Sequence, residues 1–166
     1  KVPAKDKCSG ILFSKELQNL RAPDIISPNN NIPLSIVVTT RNDTHVARIG
    51  ERTQAFIDGI YYLAEEVKRN IELIIVEWNP PEQRYTIEKA YDYPQNHPYL
   101  STIILTVKKA IHEQYLYSQY MPLLQMVAKN VGIRRARGKF ILATNIDILL
   151  SRELFEYITD PCREAG

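Results

Sequence analysis

The sequence predicts an α/β domain with a mostly parallel central sheet and flanking helices, and three observations carry that expectation. LSIVVTT (34 to 40), ELIIVEW (72 to 78) and STIILTV (101 to 107) are continuous apolar runs of strand length, rich in β-branched residues. Such runs suit strands covered on both faces. In ERTQAFIDGIYYLAEEVKRN, Phe56, Ile60, Leu63 and Val67 recur at helical spacing while Glu65, Glu66, Lys68 and Arg69 fall mostly to the other side. Finally, a helical pattern beginning near Pro122 hands over to a fourth apolar run, KFILAT (139 to 144). Strand, helix, strand implies a right-handed parallel unit.

Each element has local reasons. The first strand is expected at 34 to 40 and its helix near 51 to 69. The second strand, 71 to 77, must stop before Pro80 and Pro81, because proline cannot donate to a ladder and restricts the residue before it. A weaker helical pattern covers Glu82 to Tyr91, and the third strand is expected at 101 to 107. IHEQYLYSQY fits either a loop or a short helix. In the next helix, expected over 122 to 136, Pro122 suits the first turn and Leu124, Val127 and Val131 form the apolar stripe. Arg134, Arg135 and Arg137 suit a last turn, where positive charge complements the helix dipole, with Gly138 as its cap. The fourth strand is expected at 139 to 144.

Residues 1 to 33 read differently. Pro3, Pro23, Pro28, Pro33 and the tract Asn29-Asn30-Asn31 mark an irregular arm, with one short helical candidate at Ser14 to Leu20. The domain organisation is therefore an arm over 1 to 33 and one folded domain over 34 to 166. At 166 residues with 45% hydrophobic and 24% charged residues, the chain can bury a sizeable core. A net charge of +2 is too small to argue for nucleic acid or an anionic membrane, and no apolar segment is long enough for a membrane span. The start, KVPAKDKCSG, lacks an initiator Met and a signal-peptide apolar region, which predicts a trimmed start or a missing leader.

Cys8 and Cys162 lie near opposite ends without CxxC spacing, which excludes a zinc or redox motif and leaves two free thiols or one terminus-to-terminus disulfide. His45, His97 and His112 are too scattered to form a recognisable metal set. No glycine-rich phosphate loop occurs, which argues against a sugar-phosphate nucleotidyltransferase. The tyrosines at 115, 117 and 120 read as a packing loop more readily than as a stacking platform.

In an open α/β sheet, ligands gather at the carboxyl ends of the strands. Thr39, Thr40, Arg41, Asn42 and Asp43 follow the first strand, Glu77 and Trp78 end the second, and Asn145 and Asp147 end the fourth. These polar groups are expected to converge on one edge. Their oxygens suit a hard divalent cation, and a cation suits an anionic substrate such as a diphosphate. Asn145 and Asp147 also fit a simpler role, capping a helix that starts near Ser151 or shaping a turn.

LSIVVTTRND, ELIIVEWNPP and AKNVGIRRARGKFILATNID together resemble the nucleotide-binding half of a GT-A fold glycosyltransferase of the family 2 type. That family shows a strand ending in T-x-N, a second ending in an acid, and an A-R-N-x-G to A-x-G stretch leading into a strand that finishes in D-x-D. Here the stretch reads Ala128-Lys129-Asn130-Val131-Gly132 through Ala136-Arg137-Gly138, and Asn145-Ile146-Asp147 fills the D-x-D position. The resemblance covers residues 34 to 158 and implies a Rossmann-like sheet. It further implies an enzyme, or its donor-binding part, that transfers a hexosyl or pentosyl group from a nucleotide-diphosphate sugar to an unknown acceptor.

By that resemblance Thr39, Thr40 and Glu77 lie near the base and ribose, and Asn42 belongs to the donor-binding set. Asn145 and Asp147 would hold ribose, diphosphate and a divalent cation, Mn²⁺ or Mg²⁺, which neutralises the leaving diphosphate. Asp147 is the expected direct ligand, and Lys129 or Arg134 a second contact to phosphate. Two departures stand out. Asn145 replaces an acid, and the chain runs only to Gly166, whereas the family places its acceptor region and catalytic base further on. The fold is thus expected to be a truncated GT-A domain without the usual base, and the alternative is a non-catalytic nucleotide-sugar-binding or protein-interaction module. Asn42-Asp43-Thr44 is an N-glycosylation sequon at the mouth of the expected site, where a glycan would obstruct the donor. That favours the cytoplasmic side with reduced thiols, a Golgi-lumenal domain being the alternative.

Overall fold

A computed structural model describes residues 31–43, 47–94, 96–160 and 162. Four strands form one sheet: β1 (Leu34–Thr40), β2 (Ile71–Trp78), β3 (Leu100–Val107) and β4 (Phe140–Ala143). Among the described residues five α-helices accompany them, α1 (Ile49–Val67), the one-turn α2 (Ile87–Ala90) and α3 (Lys109–His112), α4 (Gln125–Ile133) and α5 (Arg152–Ile158), with a 3-10 turn at Ser118–Tyr120. The sheet order is β3-β2-β1-β4 with every pair parallel. Every residue of β1 and β2 is buried, as expected of central strands covered on both faces.

The two faces have separate cores, and the strand period assigns each residue to one of them. Leu34, Ile36 and Val38 of β1 and Ile71, Leu73 and Ile75 of β2 pack with Phe56, Ile57, Ile60 and Ala64 of α1. Phe155 of α5 and Ile146 complete that layer. Val37 of β1 and Ile74, Val76 and Trp78 of β2 pack instead with Ala128, and Val131 lies against them. Gly132 lets α4 press onto this face, since a Cβ there would come within 2.5 Å of Val37 Cγ1.

Most elements match the sequence expectation within one or two residues, and the departures have identifiable causes. The helix expected over 82 to 91 shrinks to α2, because its backbone groups are engaged elsewhere. Tyr85 carbonyl accepts from Asn42 Nδ2 at 2.8 Å and Ile87 N donates to Glu77 Oε1 at 2.7 Å. The helix expected over 122 to 136 starts at Gln125 and ends at Ile133.

Arg137 therefore does not sit in a last helical turn, and Gly138 does not cap the helix. Arg137 Nε donates to Glu72 Oε1 at 2.6 Å, and Arg137 N donates to Oε2 at 2.9 Å. Ser35 Oγ donates to the same Oε2 at 2.6 Å and accepts from Gly138 N at 2.8 Å. Gly138 is required by this close approach: a Cβ would lie 2.5 Å from the Ser35 nitrogen. This buried network ties the amino ends of β1 and β2 to the entry of β4.

The expected helix at 14 to 20, most of the arm and Cys8 lie outside the described residues. Among the described residues Cys162 is exposed and has no disulfide partner. Among the described residues no helix is long and apolar enough to cross a membrane.

Candidate functional site

Strand order places the crevice. The chain runs from β1 outward through β2 to β3 and then returns to the other side of β1 as β4, so the order reverses between β1 and β4. At such a switch point the loops after the two strands diverge and leave room for a ligand outside their carboxyl ends. The described parts of those loops are 41–43 and 144–148.

Thr39 is the most telling residue there. It is buried, and among the described residues its Oγ1 is a buried side-chain atom without a hydrogen-bond partner. Leaving such a group unpaired costs stability, on the order of 1–3 kcal/mol. By strand period it shares the α4 face with Val37, whose carbonyl accepts from Thr144 N at 3.0 Å, one residue before Asn145. Asn145 Oδ1 in turn accepts from Gln125 Nε2 at 2.8 Å and Lys129 Nζ at 3.1 Å, both from α4. Thr39, Asn145 and Lys129 of the expected donor set are thus brought to one side of the switch point.

Asp147 turns the other way. Its carboxylate forms an ion pair with the guanidinium of Arg52 on α1, while the intervening Ile146 is buried in the α1-side core. The turn is closed by Ile148 N donating to the Asn145 carbonyl at 3.3 Å. Arg52 and Gln125 were not legible as site residues, since each lies far along the chain from the turn it contacts. The simpler role of a cap at Ser151 falls to Ser151 itself, whose Oγ accepts from Leu154 N at 3.2 Å.

Thr40, Asn42 and Glu77 are engaged with other protein groups in this arrangement, and Asn42 also lines a cleft. Thr40 Oγ1 accepts from Asn42 N at 3.0 Å, which shapes a turn with Asn42 at φ 54°, a conformation asparagine tolerates. Asn42 is buried, donating from Nδ2 to Tyr85 and accepting at Oδ1 from Tyr91 Oη at 3.0 Å. Glu77 is fully buried, and besides Ile87 N it receives Thr106 Oγ1 at 3.1 Å. These residues fasten the 79–91 segment over the end of β2. Beyond them an open cleft of about 1090 Å³ lies between Asn42, the first turns of α1 at Gly50, Glu51 and Gln54, and Arg84 and Tyr85. This hollow is displaced from the switch point toward the 82–91 segment.

Comparison with family models, with curated proteins and with solved structures finds no match. The chemistry of the site therefore rests on its own geometry.

The turn as it is arranged offers a divalent cation one carboxylate, Asp147, and one amide oxygen, Asn145, each already engaged. Mg²⁺ keeps several waters and is held by one or two carboxylates together with substrate phosphates, and among the described residues no three His, Cys, Asp or Glu side chains gather. The two oxygens expected to bind it, from Asn145 and Asp147, already face the ammonium of Lys129 and the guanidinium of Arg52. A cation there would meet two like charges with one carboxylate in reach.

Burial raises the Glu77 carboxyl above its ordinary value, and the donors from Ile87 and Thr106 only partly offset that. A carboxyl raised in the folded state lends stability that is full below its unfolded pKa and is lost as pH rises through the folded one. Glu77→Gln keeps an acceptor for Ile87 N and cannot ionise. Its thermal midpoint relative to the parent should therefore improve as pH rises above the ordinary carboxyl range, about pH 4. A difference that stays flat or reverses as pH rises would show that Glu77 is not held this way.

Proposed function

We propose that this chain binds a nucleotide-diphosphate sugar at the β1/β4 switch point and forms the donor half of a glycosyl transfer. The observation that supports the reading most is the unpartnered, buried hydroxyl of Thr39 beside Asn145 and Lys129, at the strand ends where a parallel sheet takes ligands. The hydroxyl lacks a partner but is covered in the free protein, so a ribose or base would reach it only by displacing that cover, and Lys129 supplies charge for phosphate. The order of the T-x-N, acidic strand end and N-x-D segments along the chain is the second support.

The test separates binding from stability. Titration calorimetry with UDP, GDP and TDP and their sugars should find at least one ligand for the parent protein. Thr39→Val should weaken that ligand by roughly two- to tenfold, the worth of one hydrogen bond, while leaving the unfolding midpoint unchanged or higher. The absence of binding to every nucleotide, or a Thr39→Val variant that binds as the parent does, would overturn the reading.

A second reading, a module that binds a nucleotide sugar without transferring it, is favoured by one observation. The carboxylates at this edge are engaged: Asp43 by Arg41 at 2.9 Å, Glu77 in its buried bonds and Asp147 by Arg52. None stands ready as a general base. Donor consumption by the full chain in the presence of candidate acceptors distinguishes the two.

A further inference from the structure

β3 forms an edge of the sheet and pairs only with β2, in an unbroken parallel register from Leu100 to Val107. Val107 carbonyl accepts from Asn79 N and Tyr99 carbonyl from Ile71 N, both at 2.7 Å, so the odd-numbered residues turn their backbone polar groups toward β2. These groups alternate in direction along a strand, and Leu100, Thr102, Ile104 and Thr106 therefore turn theirs outward. Among the described residues no hydrogen bond reaches the outward groups. Sheet edges are ordinarily shielded by a charge, a proline, a bulge or shortness. LSTIILTV has none of these over its eight residues, whereas β4, the opposite edge, has only four. Ile103, Ile104 and Leu105 are half-buried in the middle of the strand, Ile104 over the α1-side core and the other two over the α4 side. The segment Thr102-Ile103-Ile104-Leu105-Thr106 also reads alike in both directions, with threonine at each end and branched aliphatic residues between.

We propose that β3 is the interface of a homodimer, in which two copies pair antiparallel about a two-fold axis through Ile104 and join their sheets into one. Ile104 then meets its own counterpart in a hydrogen-bonded pair, each donating its N–H to the other's carbonyl, and Thr102 meets Thr106 in the next such pair on either side. Between them Ile103 meets Leu105. An axis normal to the sheet keeps each face continuous, so aliphatic side chains on the α4 side meet their own kind. Such cross-strand pairs are favourable, and an interface of this symmetry has to be complementary to itself. Charge selects the direction of pairing. Lys108 directly follows the strand, and antiparallel pairing sets its two copies about 26 Å apart along the strands, whereas parallel pairing would set them side by side. The carboxyl ends of the two halves point opposite ways, so both β1/β4 crevices stay open. The dimer does not depend on what those crevices bind. Eight edge residues are fewer than the roughly 20–30 a side of a standard interface, which sets the expected affinity in the micromolar range.

Sedimentation velocity on the full chain should show the monomer giving way to the dimer between about 1 and about 200 μM. Ile104→Pro should weaken the association by on the order of tenfold or more. It removes the outward N–H at the axis and spares every bond to β2, which is where an edge strand tolerates proline, and circular dichroism verifies that it folds. A cysteine pair reads the register without relying on that variant. In a Cys8→Ser, Cys162→Ser background, Ile104→Cys should close into a disulfide dimer on mild oxidation, because paired Cα atoms lie about 5.5 Å apart. Ser101→Cys is exposed and would lie about 20 Å from its counterpart, so it should not. A chain that stays monomeric throughout, a dimer that survives in a folded Ile104→Pro, or a disulfide that forms from Ser101→Cys and not from Ile104→Cys overturns the pairing.

Discussion

Trp78→Ala should destabilise the protein by about 3–5 kcal/mol, the cost of emptying a large, well-packed core position. Trp78 is fully buried at the end of β2, packed edge-on against His112 and Tyr115 with ring centroids 6.1 and 5.7 Å away. It does more than fill space. Its Nε1 donates to His112 Nδ1 at 2.8 Å, and His112 Nε2 lies 3.1 Å from the Ser118 carbonyl. Because Nδ1 accepts, the proton of the neutral ring must sit on Nε2, where it donates to Ser118. This chain of bonds fastens the tyrosine-rich segment after β3 to the carboxyl end of the sheet.

Trp78→Phe divides the effect. It keeps most of the packing but strands the His112 acceptor, so it should cost about 1–3 kcal/mol by chemical denaturation. Hydrogen exchange at the amides of 118–121 should accelerate in the same variant. A phenylalanine variant as stable as the parent would show that the bond to His112 contributes nothing.

Arg137→Ala should cost about 3 kcal/mol, near the lower end for breaking a buried ion pair. The asymmetry of the pair sets that figure: the Glu72 side chain is wholly buried, whereas Arg137 is 30% exposed. Removing the guanidinium leaves a charged carboxylate at the amino end of β2 with only Ser35 Oγ and Arg137 N as donors. Arg137→Lys should recover part of the loss, because an ammonium supplies charge without the directed Nε bond. Urea midpoints for the two variants check this, and equal losses would show that charge is not what Glu72 requires.

The strands were legible because parallel, doubly covered strands write themselves as unbroken apolar runs, and β1 to β3 fall within one residue of the runs that predict them. The long helix α1 was legible for the matching reason, its helical period. The network of Glu72 was not, although the sequence held a clue: an acid one residue into a buried strand must find a partner. What no local pattern supplies is the partner's address, 65 residues away. Gly138 shows the same limit, since cap and close-approach glycines look alike until the opposing backbone is placed.

At the site, the residue types were legible and their allegiances were not. Asn145 and Asp147 do end β4, but alternate positions on a turn aim at opposite helices. They therefore answer to Lys129 and to Arg52 separately. Glu77 was expected to face a ligand because it ends a strand. The segment after Pro80 and Pro81 folds back over it, and Ile87 N caps the carboxylate. Sequence periodicity marks which face of the sheet a residue occupies, and says nothing of what later folds across the strand's end.

The pairing of β1 with β4 also has a consequence in time. β2 reaches β1 through a single helix, whereas the entry to β4 is joined to β1 across 103 residues, from Gly138 to Ser35. Closing so long a loop is entropically costly and is repaid only once the distant strand is in place. Nascent β1, α1 and β2 can therefore assemble while β4 is still unattached. The crevice between β1 and β4 comes into being at that last docking step, so a ligand held there would bind only the finished fold and, by mass action, keep its final strand from leaving.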